Sequence, residues 1–146
     1  MADSILPSGI PGSLGRVLIV EDDALISMSM ADALTDGGAE DVVVCASISA
    51  ALGELERLKP DVMVLDVRLA DRDDGWTLAE LASQLSPSPP LIVFSTGLPE
   101  SIPAETRALG HVLAKPFPLE DLVRLVRLHR QRRPGLIARL RDALPF

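Results

Sequence analysis

The chain has no tyrosine, one tryptophan, three phenylalanines, one cysteine and two histidines among 146 residues. With so few aromatics, a core must be filled by Leu, Val, Ile and Ala. A lone thiol, Cys45, excludes a disulfide framework and a zinc-binding thiol cluster, and it falls in a predicted buried strand. His111 and His129 are too isolated to propose a metal site. The amino terminus, Met1-Ala2-Asp3-Ser4-Ile5-Leu6-Pro7, lacks a basic region followed by a long apolar stretch. No segment approaches the roughly 20 apolar residues of a membrane span, so a soluble, cytoplasmic protein without membrane contact is expected.

What is present is globular: 47% hydrophobic and 24% charged residues, in a length that suits one domain with modest extensions. The net charge of -7 is uneven, because residues 1–118 hold 18 acids against 7 bases while residues 119–146 hold 3 against 7. An acidic body disfavours general nucleic-acid binding, and the short basic tail carries no recognition motif, so no nucleic-acid partner is expected.

Residues 1–14, with Pro7, Gly9, Pro11 and Gly12, read as a flexible leader, and order is expected from Arg16. Short apolar runs predict strands over 17–20, 42–46, 62–66, 91–94 and 112–114. Helical periodicity predicts helices over 24–35, 48–58 with Ser47 as N-cap, 75–85 and 119–130. Met28, Met30 and Met63 fit core positions, and Trp76 reads as a packing residue. Between 97 and 110, Pro99 and Pro103 allow only a short helix near 104–109, and that stretch is expected to be mobile. In the last helix Leu122, Val123, Val126 and His129 share a face, with Arg124, Arg127 and Arg130 mostly outside it. Residues 131–146 form a basic extension with a possible short amphipathic helix. Five alternating strand-helix units imply an α/β fold: a doubly wound parallel sheet with helices on both faces and right-handed crossovers.

In a parallel sheet the loops after each strand leave from one edge, which brings Glu21-Asp22, Asp66, Thr96 and Lys115 together. Three close carboxylates repel one another unless a cation sits among them. Oxygen-only ligands, few in number and supplemented by water, favour Mg²⁺. A cation there can neutralise a phosphoryl group, with Asp66 as the nucleophile, Lys115 pairing with a carboxylate or phosphoryl oxygen, and Thr96 donating a hydroxyl hydrogen bond.

The segments Arg16-Val-Leu-Ile-Val-Glu-Asp-Asp23, Val-Leu-Asp66, Phe-Ser-Thr96-Gly and Lys115-Pro-Phe117 resemble the signatures of the response-regulator receiver family. The resemblance covers about residues 15–130 and implies a flavodoxin-like sheet of order 2-1-3-4-5. It implies that Asp66 accepts a phosphoryl group from a sensor histidine kinase or histidine phosphotransferase. It further implies that Glu21 and Asp22 bind Mg²⁺, with the backbone carbonyl of Arg68 as the third protein ligand, and that Thr96 and Lys115 read the phosphoryl state. With no residues after the tail for an effector domain, output is expected to run through contact with a downstream protein, or the chain is expected to serve as a phosphate relay or sink for a kinase.

Departures from the family pattern are informative. Val112 stands where an aromatic switch is usual, and the loop after Asp66, residues 67–75, looks lengthened and lacks the common proline. Phe94-Ser95-Thr96-Gly97 with Val112 to Phe117 is similar to an atypical group of stand-alone receivers named for a Phe-Ala-Thr-Gly motif, the "FAT GUY" group. A dinucleotide or flavin enzyme of this fold is disfavoured, since the loop after the first strand is Glu21-Asp22-Asp23 instead of glycine-rich and would repel a pyrophosphate. A dehalogenase-type phosphatase wants a second Asp two residues after the first, where this chain has Arg68. The serious alternative is a pseudo-receiver, a binding module not controlled by phosphate.

Overall fold

The computed structural model describes residues 12–70, 73–84 and 88–132. Three apolar runs are buried on both faces and form the centre of the sheet: β1 (Gly15–Val20), β3 (Val62–Asp66) and β4 (Leu91–Thr96). Edge strands β2 (Ala39–Cys45) and β5 (His111–Ala114) complete a five-stranded, all-parallel sheet of order β2-β1-β3-β4-β5. The expected doubly wound architecture is therefore present. Strand alternation divides the core. Val17, Ile19, Val62, Val64, Leu91 and Val93 face α1 (Ala24–Asp36) and α6 (Leu119–Arg132). Leu18, Val20, Met63, Leu65, Ile92 and Phe94 face α2 (Ile48–Leu58) and α4 (Asp73–Ser83). Among the described residues, no helix is long and apolar enough to cross a membrane.

Local signals set most boundaries. Ser47 caps α2 by accepting the Ala50 N–H at 3.1 Å, and Lys59 ends that helix in a left-handed conformation. Asp23 caps α1 by accepting the Ile26 N–H at 3.1 Å. Trp76 packs edge-on against Phe94, with ring centroids 6.2 Å apart. β2 begins earlier than its apolar run. Glu40 and Asp41 lie in it as exposed residues, which an edge strand tolerates because its backbone pairs on one side only.

Four expectations need correction. Met28 is 62% exposed, because Ser27, about 100° round the helix, takes the inward position with Met30 and Leu34. The acidic loop after Asp66 begins as a short helix, α3 (Val67–Ala70), anchored by buried Val67, and α4 starts at Asp73 instead of 75. Leu14, placed in the leader, is buried among the α1/α6-side residues and donates its N–H to Gly38 O at 3.2 Å. Arg127 and Arg130 are not solvated outside the packed face. Arg127 donates to Gly37 O at 2.9 Å and Gly12 O at 3.3 Å, and the Arg130 side chain, 11% exposed, lies 3.4 Å from Asp61 Oδ1. These contacts tie α6 to the sheet edge opposite the loops discussed below.

The segment after β4 holds a 3₁₀ turn at Pro99–Ser101 and a one-turn helix, α5 (Ala104–Arg107), shorter than the 104–109 expected. Ile102 and Thr106 are its buried anchors. Helix α4 ends at Ser83, before the expected 85, while residues 1–11 of the leader, residue 85 itself and the extension beyond Arg132 lie outside the described residues.

Candidate functional site

Four of the five strands, β1, β3, β4 and β5, end in or run into a polar residue at the same edge of the sheet. Glu21 and Asp22 follow β1, Asp66 closes β3, Thr96 closes β4 and Lys115 follows β5. Oxygen atoms of Glu21, Asp22 and Asp66 lie within 4.8 Å of one another. Glu21 and Asp66 are almost fully buried, whereas Asp22 is open to solvent. Lys115 reaches in from β5, its Nζ 3.9 Å from Glu21 Oε1 and 3.8 Å from Asp66 Oδ1. The Lys115 backbone N–H donates to Thr96 O at 2.6 Å, which locks the two loops together. Thr96 Oγ1 accepts the Leu98 N–H at 2.9 Å.

The electrostatics are strained in a specific way. Both carboxylate oxygens of Glu21 and Asp66 Oδ2 are buried without a hydrogen-bond partner. Burial first, and then the neighbouring Asp66 carboxyl, push the Glu21 pKa up to about 8, against a small opposing pull from Lys115. Buried acceptors without donors normally cost about 1–3 kcal/mol each, so such a group calls for a cation or a proton. Three carboxylates with no nitrogen or sulfur ligand suit a hard divalent ion, and the residues fit Mg²⁺.

The raised Glu21 pKa gives a signed expectation. The folded metal-free protein holds a proton on Glu21 that the unfolded chain releases above about 4.5. Glu21 therefore contributes most to stability below that value, and the contribution is lost as pH rises towards about 8. In thermal unfolding with chelator, the difference in melting temperature between wild type and Glu21→Gln should fall with pH across this window and flatten above it. A pH-independent difference would refute the shift.

Residues 17–127 match the family model of the response regulator receiver domain. The chain belongs to the receiver domain family. Receivers are in general phosphoacceptors of two-component systems and bind Mg²⁺ at an acidic pocket. The transcriptional regulatory protein PdtaR of Mycobacterium tuberculosis is 33% identical over 115 residues, covering 77% of this chain and 55% of that protein. The chain thus spans about half the length of the curated relatives it matches. Among solved structures, a two-component response regulator from Clostridium difficile superposes with a TM-score of 0.69 at 25% identity, covering 81% of this chain and 97% of the other. A CheY-like receiver domain from Methylobacillus flagellatus shares the fold, with a TM-score of 0.69 at 23% identity over 80% and 98% of the two chains.

Within this receiver the structure gathers Glu21, Asp22, Asp66 and Lys115, with Thr96 alongside, as the sequence predicts. Two features escaped the sequence reading. The Arg68 side chain folds back over the acids, its Nη2 3.7 Å from Asp22 Oδ1 and its Nε 3.8 Å from Asp66 Oδ2. Its position two residues after Asp66 was visible, but the direction of a long side chain was not. Ser95 is register partner to Asp66 on the neighbouring strand, and its hydroxyl is buried without a partner. Strand alternation from Val93 would have placed it on the Asp66 face.

Proposed function

We propose that this receiver takes a phosphoryl group on Asp66 from the phosphohistidine of a sensor histidine kinase or histidine phosphotransferase, and signals by contact with a downstream protein. The observation that carries this reading is the convergence of one nearly buried aspartate, two further acids and a lysine at a single sheet edge. An oxygen of Asp66 attacks phosphorus, the bond from phosphorus to the donor nitrogen breaks, and an acyl phosphate forms. Glu21, Asp22, Asp66 and the Arg68 carbonyl would hold Mg²⁺, which would neutralise charge on the phosphoryl oxygens. Lys115 pairs with a phosphoryl oxygen once Asp66 is phosphorylated. Receivers of this kind do not turn over a separate substrate, so the chain acts as a phosphoacceptor and not as an enzyme.

Signal leaves through Thr96 in this reading. Its hydroxyl is engaged by the Leu98 N–H at 2.9 Å, and a phosphoryl oxygen that draws the hydroxyl inward breaks that bond and shifts the segment after Gly97. Val112, partly buried against the α2/α4 side, takes the place of the aromatic switch. This feature and Phe94-Ser95-Thr96-Gly97 support membership of the stand-alone FAT GUY group. Intact mass spectrometry after incubation with Mg²⁺ and a small phosphodonor should show a single phosphoryl adduct, localised to Asp66 and lost when the metal is chelated. Absence of any adduct on folded protein would favour the phosphate-independent pseudo-receiver.

A further inference from the structure

Two cations divide the acid cluster between them. Lys115 lies against Glu21 Oε1 and Asp66 Oδ1 from inside, whereas Arg68 lies against Asp22 Oδ1 and Asp66 Oδ2 from the solvent side. Each takes a different Asp66 oxygen. The Arg68 contacts, at 3.7 and 3.8 Å, are charge attractions too long for hydrogen bonds, and the guanidinium is 71% exposed. Asp66 Oδ2 accordingly remains without a hydrogen-bond donor beneath it. A divalent cation entering this cluster needs Asp22 and Asp66, the two acids that Arg68 bridges.

We propose that the Arg68 guanidinium is a tethered counter-ion that holds the Asp22–Asp66 mouth in the metal-free protein and must withdraw for a divalent cation to enter. It thereby sets the cation concentration at which the receiver becomes competent. The inference rests on reading the cluster as the cation site. Three close carboxyl groups need positive charge or a proton in every state, and a side chain already present supplies charge at no loss of translational freedom. Solvent exposure keeps this grip weak, so a divalent ion can displace it. The Arg68 backbone N–H, which donates to Asp66 Oδ1 at 3.0 Å, is independent of the side chain, so a substitution at this position leaves that anchor in place.

The test is a calorimetric Mg²⁺ titration of the full chain, comparing wild type with Arg68→Gln and Arg68→Lys at low ionic strength. Removing two ion pairs made by a solvent-exposed arginine should tighten Mg²⁺ binding about fivefold in Arg68→Gln. Arg68→Lys, which keeps the charge, should stay closer to wild type. Addition of about 0.5 M KCl should shrink the difference, because these charges face solvent. Melting temperatures provide a second readout: Arg68→Gln should fall below wild type in chelator and converge with it at saturating Mg²⁺. Unchanged or weaker Mg²⁺ binding in Arg68→Gln, with wild type still binding, overturns the counter-ion role and leaves the cation site standing. Lack of Mg²⁺ binding by all three proteins overturns both.

Discussion

Asp66→Asn should take up no phosphoryl group from a small phosphodonor at any Mg²⁺ concentration, and its metal-free form should melt higher than wild type. Loss of the adduct follows from chemistry, since a carboxamide offers no anionic oxygen to attack phosphorus. The gain in stability follows from the surroundings. The substitution removes the nearly buried carboxyl that helps push the Glu21 pKa up, and Glu21 carries two oxygens with no donor. An amide NH₂ at position 66 faces that carboxyl, while the amide oxygen can still accept the Arg68 N–H that Asp66 Oδ1 accepts now. Lys115 keeps its contact with Glu21 at 3.9 Å. Relief of one unsatisfied buried acceptor is worth about 1 kcal/mol, or about 4 °C in a domain of this size. With saturating Mg²⁺ the order should reverse, because wild type then gains the full binding linkage. Mass spectrometry and differential scanning calorimetry read both effects. An adduct that persists in Asp66→Asn would move the phosphoacceptor elsewhere in the chain.

The parts of this fold legible in the sequence are those decided by local physics. β1, β3 and β4 are short apolar runs between polar turns because both of their faces are covered, and α2 carries its own start signal in Ser47. Edge strands blur: the first residues of β2 carry charge because one side of the strand faces solvent. In α1 a buried serine in the inward stripe misdirects the periodicity, so Met28 reads as core when Ser27 holds that place. The arginines of α6 could not be assigned from the sequence, since the Arg130 partner Asp61 and the Arg127 acceptors at Gly12 and Gly37 are distant in the chain. At the site the reverse holds. Topology alone converts four strand-end residues into one cluster, so Glu21, Asp22, Asp66 and Lys115 were readable without coordinates. The Arg68 fold-back depends on the direction of a long side chain, which no spacing encodes, whereas the face of the orphaned Ser95 hydroxyl follows from strand alternation.

Gly110→Ala should destabilise the protein by about 3 kcal/mol, since overpacking a fitted interior costs about 1–3 kcal/mol and here the obstacle is backbone. A Cβ at this position would lie 2.1 Å from the Ile92 carbonyl oxygen and 2.8 Å from its carbon, and Ile92 is fully buried in the central sheet. The strand that gives way is the other one. β5 has four residues, a single neighbour, and begins immediately after Gly110 with His111 paired to Val93. Displacing it strains the Lys115 N–H bond to Thr96 O and carries Lys115, which follows β5 directly, away from Asp66. The acids that would hold a cation come from the ends of β1 and β3, which Gly110 does not touch. Gly110→Ala should therefore lose more than about tenfold in phosphorylation rate while its Mg²⁺ affinity stays within about twofold of wild type, a split that follows from cation ligation and lysine pairing sitting on different strands. Denaturant unfolding, adduct kinetics and Mg²⁺ titration on the same preparation separate the terms. Equal losses of metal affinity and phosphorylation would mean that the substitution unsettles the whole sheet edge, and wild-type stability would contradict the close approach of β5 to Ile92.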